Sequence, residues 1–297
     1  MALLYRQVAA DLSVLRRDET ARTYSDHVNQ LLARAHHIIY SRQKTTWLTL
    51  FRFLKDEYPA IFQRQLPYVT ASLLVMIAWA MLGAALTSAR PEFMRHFVGP
   101  AMIATMEQHK MWTDSIVSVA PKETSHIMTN NLSVSFLAFA AGITFGVGTF
   151  FLLFNNGMML GVIAAACHQY SMSIPLWSFI APHGSLELPA IIIAGGAGFR
   201  VGHAMLFPGG YRWKESVAKG GIEATQLVAG VIPMLVVAGC LEGFFSPSHA
   251  PVWLKFSVGA LLFTLLMTWL FKRPGTREQG KALEATAGSS TPVGRSE

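Results

Sequence analysis

His183 and Glu187 stand four residues apart in APHGSLELPAIIIAGGAG (181–198), at the mouth of an apolar, glycine-rich run. His168 and Glu242 are further ionisable residues in apolar surroundings, and Asn130 and Asn131 open another apolar run. Three chemistries compete for this set. Two imidazoles and two carboxylates are adequate zinc ligands, with one glutamate available as a base. Carboxylates buried in an outer vestibule would instead serve a proton or ion path. The third role is architectural, because a carboxylate at a helix start is held by free N–H groups and by the helix dipole. The sequence has no HExxH and no nucleophile-plus-base spacing. The architectural reading is therefore favoured, transport comes second and hydrolysis last.

The elements that must position these residues follow from composition. Of 297 residues, 52% are hydrophobic and only 14% charged, and the mean hydropathy is +0.37. A soluble domain carries about 25% charged residues. Apolar runs occupy 68–88, 132–154, 157–173, 186–207, 226–245 and 252–271, each near the ~20 residues that cross a bilayer core. The expected fold is an all-α, polytopic membrane helix bundle of about six spans. The expected division is a cytoplasmic helical region 1–66, a transmembrane domain 67–272 with an external segment 89–131, and a disordered tail 273–297. With the first apolar run near residue 68, no cleavable signal peptide is expected.

Charge sets the orientation. The net charge is +7, and ten Lys/Arg lie in residues 1–66. Arg212, Lys214 and Lys219 follow in one loop, and Lys272, Arg273, Arg277, Lys281 and Arg295 in the tail. The positive-inside rule puts both termini in the cytoplasm. Juxtamembrane placement accounts for the basic residues, so no nucleic-acid partner is expected. Cys167 and Cys240 both fall in spans, which excludes a secreted disulfide framework and leaves two small hydrophobes.

Outside the spans, VNQLLARAHHIIYSR carries Val28, Leu31, Leu32, Ala35, Ile38 and Ile39 on one helical face. A second amphipathic stretch with Trp47, Leu48, Leu50, Phe51, Phe53 and Leu54 suits the cytoplasmic headgroups. His36 and His37 have no metal-ligand spacing and read as ordinary residues. In the external segment the methionines, among them Met102, Met106 and Met111, recur at helical spacing. They point to apolar packing rather than copper.

Topology sorts the polar residues into two layers. His168, His183, Glu187, Glu242, Asn130 and Asn131 belong to the outer side. Arg200 and His203 belong to the inner side, with Asn155 and Asn156 in a cytoplasmic turn before Gly157. Arg200 is placed to snorkel toward the cytoplasmic interface. The prolines of SIPLWSFIAPHGS suggest an interfacial or re-entrant segment, with Ser185 capping the next span and Pro189 in its first turn. On that reading His183 precedes the helix and does not share a face with Glu187.

Small-residue faces recur as Gly142-x3-Gly146, Gly157-x3-Gly161, Gly198-x3-Gly202 and Gly239-x3-Gly243, with Gly195 beside the third. Such faces let helices approach closely in lipid. They suit contacts within one bundle and equally a homodimer.

Three strings carry a family resemblance: MTNNLSVSFLAFAAGITFGVGTFFLLFNNGMMLG (128–161), SFIAPHGSLELPAIIIAGGAGFRVGHAMLFPG (178–209) and AGCLEGFFSPS (238–248). They resemble the stage II sporulation protein M (SpoIIM) family, and LARAHHIIYSRQ resembles the cytoplasmic region of its longer members outside spore formers. The resemblance implies a membrane anchor for peptidoglycan-degrading partners, as in the family's namesake. The chain is also similar to members encoded beside MoxR-type AAA+ ATPases, von Willebrand factor A proteins and RDD-family membrane proteins, which implies cell-wall hydrolases, a MoxR-type ATPase or von Willebrand factor A proteins as partners. The family motif falls on His183, Gly184, Glu187, Gly195, Gly198, Glu242 and Gly243, and brings no catalytic role. The expected function is a non-enzymatic, cofactor-free scaffold in the bilayer that recruits envelope proteins. A transporter or channel is the alternative, and a membrane metallohydrolase ranks below it.

Overall fold

The computed structural model describes residues 2–15, 24, 27–32, 47–110 and 120–272. His36, His37, Met111 and the tail after Lys272 lie outside the described residues. No strand occurs among those described. The chain divides into two compact units, residues 1–51 and 52–297. The first contains α1 (Ala2–Leu15) and a helical stretch at 27–32, where Leu12 and Leu32 are buried. Helix α2 (Trp47–Arg52) begins at its end and leaves Trp47, Leu48 and Phe51 exposed.

In the second unit a π turn at Phe53–Glu57 leads into α3 (Tyr58–Arg64) and α4 (Leu66–Ala89). After a 3-10 turn (Pro91–His96) come α5 (Pro100–Glu107), α6 (Ala120–Ala140) and α7 (Val147–Gln169). The 34-residue α8 (Ser173–Leu206) follows, then α9 (Trp213–Ala229) and α10 (Val231–Cys240). A π turn (Leu241–Phe245) and α11 (Val252–Leu270) complete the unit. Five stretches are long and apolar enough to cross a membrane: Leu66–Ala89, Val147–Gln169, Ser173–Leu206, Trp213–Phe245 and Val252–Leu270. A sixth, Asn130–Ile143, is apolar but shorter. This is a multi-pass, all-α membrane protein.

The reversal after the second apolar segment lies away from the predicted Asn155–Gly157 turn. Helix α6 ends in a 3-10 turn at Ala141–Ile143, and the chain reverses where Phe145 and Gly146 have φ of 57° and 84°. Gly146 takes that left-handed conformation without a Cβ penalty. Thr144 Oγ1 then accepts the Gly148 N–H at 2.8 Å, satisfying a free donor of α7. Helix α7 runs unbroken through Asn155, Asn156 and Gly157. Asn155 and Asn156 thus sit inside α7, not in an inner-side turn. Asn156 donates to the Leu152 carbonyl at 2.8 Å, within its own helix. Gly157 is a contact residue: a Cβ there would stand 2.5 Å from the Met76 carbonyl of α4. Asn-Gly favours a turn locally, but helix packing claims the glycine first.

Helix α8 also departs from the expected course. The segment expected as a re-entrant loop is helical from Ser173, with Pro182 and Pro189 inside the helix. Ser185 is no cap; its hydroxyl donates to the Pro182 carbonyl at 2.9 Å. Each internal proline removes one backbone donor, but neighbours hold the helix straight enough to continue. Leu176 is buried against Met158 and Val162, and Gly259 of α11 abuts the Ala181 carbonyl. At ~1.5 Å per residue α8 is about 51 Å long, well beyond the ~30 Å of a bilayer core.

Gly142, Gly161, Gly195, Gly198 and Gly202 of the expected faces lie at close approaches. Gly161 meets the Ala80 carbonyl, so α4 and α7 pack side by side in the same direction. Gly142 lies on Gly198, and a Cβ on Gly202 would stand 2.6 Å from the Gly146 nitrogen. Gly195 faces Ser72 and Leu153, while Gly239 and Gly243 are buried. Two apolar clusters result. One joins Tyr58 and Phe62 to Ile193, Leu227, Leu235 and Leu270. The other seats Met94, Val98 and Met106 on Met158, Val162 and Cys167. Tyr58 is the hub of the first: its hydroxyl donates to the Leu227 carbonyl at 3.0 Å, and its ring stacks on Trp269 at 5.0 Å. Burial raises the Tyr58 phenol above its ordinary range, which keeps it a donor.

Candidate functional site

Because α8 is continuous, His183 and Glu187 lie one turn apart on one helical face. Glu242 comes from the π turn that ends α10. The wider turn departs from the α-helical register there, a feature common at functional positions. One ligand atom from each of His183, Glu187 and Glu242 lies within 4.8 Å of the others. Helix α6 adds Asn131, whose amide donates to Glu242 Oε2 at 3.4 Å and also lies against Glu187.

The surroundings hold His183 firmly. Its Nδ1 is 2.9 Å from Ser246 Oγ, and its ring packs edge-on against Phe179 at 5.4 Å. Its Nε2 is 3.9 Å from Glu242 Oε1, outside hydrogen-bond range. The side chains of His183 and Glu242 are only 7% and 12% exposed. Lys255 of α11 donates to the Ser246 carbonyl at 2.6 Å, so a buried cation stands one residue behind the cluster. Glu187 Oε2 is buried and has no hydrogen-bond partner. Two carboxylates at such a separation repel by about 3–4 kcal/mol at an effective dielectric of ~20. Positive charge between their oxygens would relieve that repulsion.

The remaining predicted residues do not join this cluster. His168 is exposed at the end of α7, with Nδ1 3.3 Å from Ser173 Oγ at the start of α8. Asn130 is exposed and donates to Asn131 Oδ1 at 3.4 Å. Arg200 pairs through its Nε with Glu223 Oε2 of α9 at 2.7 Å, and its guanidinium lies 5.7 Å above the Tyr68 ring. Gln65 donates to the same carboxylate oxygen at 3.1 Å. His203 lies between Tyr68, which it meets edge-on at 5.4 Å, and Phe207, tilted at 5.1 Å.

Sequence reasoning did not single out Ser246 and Lys255. Lys255 carried a legible signal, since it is the single Lys, Arg, Asp or Glu in the apolar run 252–271. Such residues in spans are costly and face protein partners. Ser246 carried none beyond its place in the 238–248 string.

The profile of a family described as Stage II sporulation protein M matches residues 69–247, which hold every residue of the cluster except Lys255. An uncharacterized protein of Methanocaldococcus jannaschii is 32% identical over 126 residues, covering 42% of this chain and 71% of that relative. No solved structure matches the chain.

Proposed function

The chain belongs to the stage II sporulation protein M family, and we propose that it acts as a non-enzymatic membrane scaffold that recruits envelope-associated partners. The proposed setting is the cytoplasmic membrane, with both termini inside, an orientation supported by the basic residues flanking the spans. One observation carries the reading. The polar residues of α6, α8, the 241–246 turn and α11 are drawn into a packed knot, with His183 5% and Ser246 1% exposed. Such a knot fastens four segments and suits a rigid platform. The partner classes implied by family resemblance are peptidoglycan-remodelling enzymes and MoxR-type ATPase or von Willebrand factor A assemblies.

Crosslinking in cells followed by purification and mass spectrometry tests the scaffold. The expected result is a reproducible, discrete partner lost when residues 1–46 are deleted. A chain that emerges alone under every crosslinker overturns the proposal. One feature favours a transporter as the second reading: the unpartnered, buried oxygen of Glu187. In liposomes that reading requires flux of protons or small ions, abolished by Glu187→Gln.

A further inference from the structure

We propose that His183, Glu187 and Glu242 form a binding site for a divalent transition-metal ion of the zinc type. The inference is independent of the scaffold reading, which needs no metal. Two elements remote in sequence converge on one point: successive turns of α8 and the π turn after α10. Their ligand atoms fall within a 4.8 Å sphere of mutual distances. The observation that points to a ligand is the buried Glu187 Oε2, which has no hydrogen-bond partner. A buried polar oxygen left without a partner costs about 1–3 kcal/mol, and a cation beside it would remove that cost.

The geometry around His183 strengthens the case. Ser246 Oγ occupies the Nδ1 side at 2.9 Å, which leaves Nε2 as the free lone pair when Nδ1 carries the proton. Nε2 then faces Glu242 Oε1 at 3.9 Å. That gap is too long for a hydrogen bond. With metal–ligand bonds of ~2.0–2.2 Å, tetrahedral ligand atoms lie ~3.3–3.6 Å apart. Closing the cluster onto an ion therefore takes side-chain shifts of roughly 0.5–1 Å, with no backbone movement.

The donor set also selects the ion. Imidazole with carboxylates suits zinc and its transition-series neighbours, whereas Mg2+ and Ca2+ prefer oxygen alone. Two carboxylates balance a dication, and Lys255 stays outside the coordination sphere, committed to the Ser246 carbonyl. Ser246 on the imidazole and Asn131 on Glu242 are the outer hydrogen bonds that orient metal ligands. Three protein ligands leave a fourth position for water.

The test uses the tag-free full-length chain in detergent, stripped with chelator, exposed to Zn2+ and passed over gel filtration before elemental analysis. The expected result is one zinc per chain. Glu187→Gln and Glu242→Gln should each weaken retention at least ~10-fold, and Ser246→Ala by ~10- to 100-fold, the range for outer hydrogen bonds. Retention below a tenth of an ion per wild-type chain overturns the site, as does folded Glu187→Gln that holds zinc like wild type. Should the variants fail to fold, Co2+ on the wild-type chain decides. An intense visible spectrum of low-coordinate cobalt with a nitrogen donor supports the site, and the weak aqueous spectrum overturns it.

Discussion

His183 Nδ1 lies 2.9 Å from Ser246 Oγ, so a histidine on α8 is tied to the residue that follows the π turn. The same Ser246 offers its carbonyl to Lys255 at 2.6 Å. One serine thereby links α8 to α11 through a side-chain bond and a main-chain bond. Removing the hydroxyl should take away the partner of His183 Nδ1 but spare the lysine contact. Ser246→Ala is expected to cost about 1–3 kcal/mol, the penalty for a buried group left unsatisfied. Thermal unfolding in detergent measures it, and an unchanged midpoint would count against the link.

Lys255 reaches the polar cluster through Ser246, whose carbonyl accepts from its Nζ while the Ser246 hydroxyl meets His183. Lys255→Met should destabilise the bundle by roughly 1–3 kcal/mol, since it leaves the buried Ser246 carbonyl without a donor. Adding Glu242→Gln should cost less than the sum of the two single changes, because both act on the one network that runs through Ser246 and His183. A coupling of 0.5–3 kcal/mol is the range for groups in one network. A double-mutant cycle on unfolding midpoints reads it directly, and strict additivity argues against shared electrostatics.

The glycine contacts divide into tight and open positions. At Gly142 a Cβ would press on the backbone of Gly198, which cannot rotate away. Gly142→Val is expected to destabilise by about 1–3 kcal/mol or to prevent folding. Gly221 has nothing within 4 Å, and it sits inside α9. Gly221→Ala should be neutral or stabilising by up to ~1 kcal/mol. Equal damage at both sites, in thermal melts, would remove the packing explanation.

The position of the α6–α7 reversal is open to chemical probing. In a chain with Cys167 and Cys240 replaced by alanine, Phe145→Cys should react with a water-soluble thiol reagent. Asn155→Cys should not, because residue 155 lies inside a membrane-crossing helix. Reversed labelling would restore the Asn-Gly turn.

Tyr58 gives a prediction in pH. Its folded-state phenol is raised by burial above the unfolded value of ~10. Its contribution is therefore full below pH ~10 and is lost as pH climbs beyond it. Tyr58→Phe should lower stability by about 1 kcal/mol near neutrality, through loss of the bond to the Leu227 carbonyl. It should also make the alkaline decline shallower. A variant that declines as steeply as wild type would show that other groups dominate that limb.

What was legible in the sequence was whatever a local window carries. Hydropathy sums over ~20 residues, so the all-α membrane class and most apolar helices could be read from composition and run length. The family resemblance drew on strings such as SFIAPHGSLELPA and AGCLEGFFSPS, and the matched residues 69–247 contain both. Both misplacements came from local signals that packing overrode. Asn156-Gly157 favours a turn, yet Gly157 is taken up by its contact with Met76, and the reversal goes to Gly146. Pro182 favours a helix end, yet α8 continues past it because α11 supports that stretch through Gly259 on Ala181.

The site itself divides the same way. Sequence alone marked His183, Glu187 and Glu242 as costly residues in apolar runs, and that cost is a local property. Only the tertiary structure decided that 183 and 187 share a face, that 242 meets them and that His168 does not. Those contacts join residues up to 59 positions apart (183 to 242), and depend on a continuous α8 and a π turn after α10. Neither feature is encoded in the spacing of the residues it brings together.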